Sequence, residues 1–284
     1  MKRHMKRRVA MLMIFTFVMG IASFAMTKNV SAAKASLVKD LHLSGKYNSY
    51  DITGDGKADA FSLLGDNWDG WGYNSMRLGV NGTSYAIPCS GYSYFYDADF
   101  DLITLKNGKK FIHIRAWSDN EDDPYQSIYQ LKGGKMVNVL KLATPVKKYG
   151  FHTNTSVIKV KDNTITVKQS TQVPKFGYIE FSYSYKYKNG KFIKTSSLAK
   201  ITKNMFKTDY LTVKKNVTWY ASKACTKKKG TLKANTKAKA VQIYMGSKSF
   251  AIKVKTKSGK TGWIKGSTKF DSNNVIFNEV FFAG

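Results

Sequence analysis

One short pattern recurs through the middle of the chain and restricts what it can fold into. Ile103-Thr-Leu-Lys-Asn-Gly-Lys-Lys-Phe-Ile112, Tyr129-Gln-Leu-Lys-Gly-Gly-Lys-Met-Val137 and Tyr185-Lys-Tyr-Lys-Asn-Gly-Lys-Phe-Ile193 each read as strand, Lys-(Asn/Gly)-Gly-Lys, strand. Asn-Gly and Gly-Gly accept the positive φ that a type I′ hairpin turn requires at both central positions. Ile158-Lys-Val-Lys-Asp-Asn-Thr-Ile-Thr-Val167 is a looser copy. Apolar residues alternate with polar ones almost throughout, and Pro is rare, so the chain reads as all-β. Lys34–Leu41 is the only helix candidate. An antiparallel meander, sandwich or partial propeller-like sheet is expected. A closed propeller needs about four or more four-stranded blades, and residues 40–200 offer hairpins for roughly three.

The first residues have the three parts of a signal peptide. Lys2, Arg3, Lys6, Arg7 and Arg8 are basic, Val9 to Met26 is apolar and uncharged, and Val30-Ser-Ala-Ala33 supplies small residues. Cleavage after Ala32 is expected, which leaves no integral membrane span and places the protein outside the cell. The remaining chain of about 250 residues is long enough for two domains. Residues 36–200 form one, 201–208 a linker, 209–268 a small second domain and 269–284 a tail. With only Cys89 and Cys225, the chain has no disulfide framework and no structural zinc pattern.

Charge is divided unevenly. The chain carries a formal +29, yet from Asp40 to Asp123 thirteen acidic residues face seven basic ones, a net −6. From Ile201 to Gly284, 18 lysines face three acids, a net +15. One part suits cations and the other a polyanion. In an exported protein the polyanion is a cell-wall polymer such as teichoic acid, an acidic polysaccharide or anionic lipid. Nucleic acid is not expected there.

Asp51-Ile-Thr-Gly-Asp-Gly-Lys-Ala-Asp59 places three carboxylates at i, i+4 and i+8 around a Gly-Asp-Gly turn. Calcium takes about six to eight oxygens at flexible geometry. Asp51, Asp55 and Asp59 offer charged oxygens, Thr53 a hydroxyl and Lys57 its carbonyl, so a structural Ca²⁺ site is one reading and a plain acidic turn the other. Ser62 stands where an EF-hand needs its bidentate Glu, which excludes that motif. The loop resembles the calcium loops of bacterial FG-GAP/VCBS-type repeats, with Thr53 where Asn or Asp is usual. The resemblance covers roughly residues 50–64 and implies a β-rich extracellular module.

Beyond residue 208, short strands follow closely. Thr218-Trp-Tyr220, the Lys228-Lys-Gly-Thr-Leu232 turn and Ile252-Lys-Val-Lys-Thr-Lys-Ser-Gly-Lys-Thr-Gly-Trp-Ile264 resemble a bacterial SH3-like (SH3b) domain. That resemblance implies a small barrel that targets a protein to the cell wall. Trp219, Tyr220 and Tyr244 are its candidate ligand-binding aromatics, while Trp263 reads as core. In the first domain, Asp66-Asn-Trp-Asp-Gly-Trp-Gly-Tyr73 offers Trp68, Trp71 and Tyr73 either to a ligand or to the sheet.

Catalytic patterns are weak. Cys89 with His113 or His152 lacks a helix N-terminus to activate the thiol. Asp119, Glu121, Asp122 and Asp123 form an acidic run, and Asp97, Asp99 and Asp101 alternate, as an exposed strand face or a second cation site would. The sequence is therefore read as a non-catalytic, secreted Gram-positive binding protein with no enzyme activity. It would be calcium-stabilised and held on a cell-wall polymer or other extracellular polyanion. A cell-wall hydrolase or hydrolase regulator is the alternative, and a secreted protein partner is a third possibility.

Overall fold

A computed structural model of the chain describes residues 33–88, 94–118, 125–142, 153–246 and 249–281. The signal segment 1–32, Cys89, His152 and the acidic run 119–123 lie outside them. The fold is all-β and antiparallel throughout. A five-stranded sheet has the order β1 (Ser36–His42), β6 (Asp97–Thr104), β7 (Lys110–Trp117), β8 (Tyr125–Lys132), β9 (Lys135–Lys141). A four-stranded meander holds β2 (Tyr47–Tyr50), β3 (Asp59–Trp68), β4 (Tyr73–Val80) and β5 (Thr83–Ile87). An eleven-stranded sheet runs β10 (Thr153–Lys161), β11 (Thr164–Val173), β12 (Gly177–Lys188), β14 (Leu198–Asn204), β18 (Lys237–Met245), β19 (Phe250–Thr256), β20 (Thr261–Lys265), β16 (Val217–Tyr220), β17 (Lys228–Leu232). In it β13 (Lys191–Lys194) pairs with β12 and β15 (Leu211–Thr212) with β18.

The five-stranded sheet is buried on both faces. Ile103, Phe111 and Ile128 enter a core shared with the large sheet, while Phe100, Leu102, Ile112 and Ile114 enter a second core with the four-stranded sheet. That explains why β6 and β7 lack clean alternation. β11, with one face in the core, alternates strictly between buried and half-buried residues.

Turn chemistry follows the sequence closely. Gly133-Gly134 and Asn189-Gly190 are two-residue turns with positive φ at both positions, and Asn81-Gly82 is a third. The Asn107-Gly108 copy is different. Thr104 pairs with Lys110, so the loop is longer, and Leu105 is drawn fully into the core.

Four expectations are corrected. Residues 34–41 do not form a helix: Ser36 onward is β1, paired with β6 across a bulge at which Asp40 has φ 57°. One or two helical turns are marginal by themselves, and a full edge of β6 offers more. Next, no sheet closes on itself among the described residues, so 209–268 is not a closed barrel. One edge of β18 pairs with β19, and the other is shared by β14 and β15, leaving no edge for β17. Within the segment read as a tail, 269–284, the described residues 269–281 are not a loose tail, because Val275 is buried and Ile276 and Phe277 lie in the large core. The segment read as a linker, 201–208, begins inside β14, where Ile201 is also core.

Candidate functional site

Four places hold the chemistry the sequence singled out, or hold chemistry it concealed. The first is the lysine-rich face of the C-terminal strands. Cross-strand partners lie on the same face of a sheet. Tyr220 pairs with Trp263 and Trp263 with Lys253, which pairs with Gln242. The next row reads Tyr244, Ala251, Lys265, and the row on the other side Lys239, Lys255, Thr261. One face therefore carries Tyr220, Tyr244 and Trp263 among Lys239, Lys253, Lys255 and Lys265. The Lys223 ammonium lies 4.6 Å from the Tyr244 ring centroid and that of Lys253 5.9 Å from Trp263. Trp263 is 8 % exposed, yet it belongs to neither apolar core. Its burial comes from the outer face, where lysine stems can cover an aromatic ring.

Trp219 does not join them. Alternation turns it to the opposite side, where it is in the large core, packed so closely on Gly262 that a Cβ there would sit 2.6 Å from Trp219 Cδ2. Among the described residues the lysine–carboxylate pairs are Lys106–Asp162, Lys110–Asp51, Lys168–Glu180 and Lys203–Glu180, none of them beyond residue 203. From Lys207 to Lys269 no described lysine forms a close carboxylate ion pair, although Lys237 sits near the Glu279 carboxylate.

The second place is the Asp51–Asp59 loop, where Gly54 (φ 84°) and Gly56 (φ 90°) provide the tight curl. Asp51 accepts from the N–H groups of Gly54 (2.6 Å) and Gly56 (3.1 Å), and Lys110 Nζ lies 3.4 Å from it. Asp59 is buried and accepts from Ile52 N–H (2.7 Å), Thr53 N–H (2.9 Å), the Thr53 hydroxyl and Asn81 Nδ2 (2.7 Å). Burial pushes the Asp59 carboxyl up, but these donors together hold it below the usual carboxylate range. Asp55 is exposed and accepts from Lys57 N–H. The Asp51 and Asp59 oxygens face protein donors, and among the described residues no three acidic, His or Cys side chains gather as a metal set. These donors cap the loop without a metal, and no chemistry is derived through a Ca²⁺ ion.

The third is the end of the β3–β4 hairpin. Trp68 pairs with Tyr73, their rings edge to face at 5.0 Å, and Tyr73 leans on Phe95. Asp69 fixes the loop by accepting from the N–H groups of Trp71 and Gly72, which holds its carboxyl below the ordinary range. Trp71 is left 75 % exposed. The loop thus neither folds over the sheet nor joins the C-terminal aromatics, which lie on another sheet.

The fourth was not legible in the sequence. Asp97, Asp99 and Asp101 are not an exposed strand face, because Asp101 is fully buried. It lies 2.9 Å from His113 Nδ1 and 3.2 Å from Arg115 Nη2, and accepts from Asp40 N–H. The same Nη2 meets Asp40 at 3.1 Å and Asp99 at 4.0 Å. Burial pushes Asp101 up, but His113, Arg115 and the Asp40 N–H outweigh it and hold the carboxyl below its usual value. Burial pushes His113 down more than Asp101 restores it. The pair is a neutral imidazole, its Nδ1–H assigned from the hydrogen bond, beside a carboxylate. In register Asp101 opposes His113, and Asp99 opposes Arg115. The alternating acids were visible, but their basic partners lie a hairpin away at 113 and 115. Comparison with known proteins yields no match, whether to a family model, a curated protein or a solved structure.

Proposed function

We propose that this is an exported, non-catalytic binding protein held on an anionic extracellular polymer by the lysine–aromatic face of β16, β18, β19 and β20. One observation carries the reading. Lys239 and Lys255 stand directly opposite one another, in a stretch where no described lysine forms a close carboxylate ion pair. Like charges in directly opposed positions destabilise a sheet. The Lys239 ammonium turns to the Thr208 carbonyl (3.0 Å) and the Tyr210 ring (4.7 Å), which leaves Lys255 as the charge of the pair for an external anion to neutralise. Tyr220 and Tyr244 on the same face add rigid apolar area between the charges, and the contact would be screened by salt.

The test is co-sedimentation of the chain from Ala33 onward with purified Gram-positive walls, before and after teichoic acid is stripped, across a salt series. Binding is expected to fall on stripping and to weaken steadily as salt rises. Binding that survives both treatments sinks the reading and points to an uncharged or protein partner.

A further inference from the structure

The face of the five-stranded sheet that packs on the large sheet changes character along its length. At one end it carries Ile103, Phe111 and Ile128, all core. Further along, the same face carries Asp99, Arg115 and Gln126, which are successive partners in register, and Trp117 one step beyond. β10 supplies Asn154 and Thr155 opposite. With Asp40 these residues line a cavity of about 360 Å³, within the roughly 300–1,000 Å³ span of small-molecule sites.

We propose that this cavity binds a neutral, hydroxyl-rich ligand of sugar type. The charges decide against the other classes. Asp40 and Asp99 on the wall, with Asp101 behind, outnumber the single guanidinium and disfavour an anion. Arg115 at the centre, 16 % exposed, disfavours a cation. What remains is a ligand that both donates and accepts. Carboxylates accept, the guanidinium donates, and the exposed Asn154 amide can do either. Among the described residues Arg115 uses Nη2 for all three carboxylates, and Nη1 and Nε have no acceptor there. The ion pairs and the Thr155–Gln126 hydrogen bond hold the site before any ligand arrives, which lowers the ordering cost of binding. The half-buried ring of Trp117 offers an apolar surface to the C–H face of a sugar.

The site does not depend on polyanion binding and is tested apart from it. Saturation-transfer NMR on the chain from Ala33 to Gly284, the unit that contains every described strand, uses D-glucose, D-galactose and N-acetyl-D-glucosamine at millimolar concentration. Transfer to at least one is expected, with weaker transfer to glucose 6-phosphate than to glucose. Asn154 is exposed, so Asn154→Ala keeps the fold and is expected to bind about tenfold more weakly, the cost of about one good hydrogen bond. Trp117→Ala is expected to lose transfer. Lys255→Gln is expected to keep it. The proposal is overturned by no transfer to any of the three sugars. It is equally overturned by stronger transfer to the phosphorylated sugar, or by unchanged transfer in Asn154→Ala with its near-ultraviolet circular dichroism intact.

Discussion

His113 Nδ1 lies 2.9 Å from Asp101 Oδ2, and neither side chain has any exposed surface. Burial has lowered the His113 pKa, so the folded protein holds a neutral imidazole while the unfolded chain takes up a proton below about pH 6.5. Its contribution to stability is therefore full above that pH and is lost as pH falls below it, by at most about 1.4 kcal/mol per pH unit. Asp101, also lowered, adds a second loss below about pH 3.8. The urea midpoint of the wild type is expected to drop between pH 7.5 and 5.5. His113→Gln can still donate to Asp101 and should be flat over that interval. A wild-type midpoint unchanged across it disproves the buried neutral pair.

Asp59 and Asp55 separate a self-capped loop from an ion site. Asp59 closes the loop with four donors, whereas Asp55 is exposed and takes one. Asp59→Ala is expected to cost about 2–4 kcal/mol, since it strands buried N–H groups, and Asp55→Ala at most about 0.5 kcal/mol. Calcium at millimolar concentration, set against a chelator, should leave Tm in place and produce no saturable heat in calorimetry. Saturable heat that disappears in Asp55→Ala would restore the calcium reading and require Lys110 to leave Asp51.

Lys255→Gln relieves the opposed charge on Lys239. In the absence of polymer the variant is expected to be more stable by about 0.2–1 kcal/mol, a Tm gain of about 1–3 °C. Its affinity for teichoic-acid-bearing walls should fall. A gain in stability with a loss of binding is the signature of charge retained for a ligand. Unchanged affinity removes Lys255 from the binding face.

The local part of the fold was legible because it rests on neighbours in sequence. Asn189-Gly190 and Gly133-Gly134 specify their turns by backbone freedom alone, and strict alternation in β11 reflects one buried face. Partners far apart in sequence were not legible. The composition shift near residue 200 is a change of surface charge, while the apolar half of the pattern continues through Ala199, Ile201 and Ile243 into one core. A boundary drawn from lysine content therefore cuts through β14, which pairs with β18. The Asp101–His113–Arg115 group was hidden for a related reason. Alternating polar residues look the same whether they face solvent or a second sheet.

Trp219 and Tyr220 are adjacent in β16 and belong to opposite faces, so substitutions there should part fold from binding. Trp219 fills the space above Gly262, and Gly262→Ala would place a Cβ 2.6 Å from the indole. Overpacking of this kind costs about 1–3 kcal/mol, and Trp219→Ala about 3–5 kcal/mol through the cavity it leaves. Tyr244, half-buried on the outer face under Lys223, is different. Tyr244→Ala should change stability by no more than about 1 kcal/mol while weakening wall binding, because it removes the ring that orders a lysine at the surface. Urea midpoints and wall co-sedimentation on the three variants distinguish the roles. If Gly262→Ala is as stable as wild type, Trp219 is not packed where the backbone places it. If Tyr244→Ala binds walls like the wild type, the aromatic row takes no part in binding, and the attraction rests on lysine charge alone.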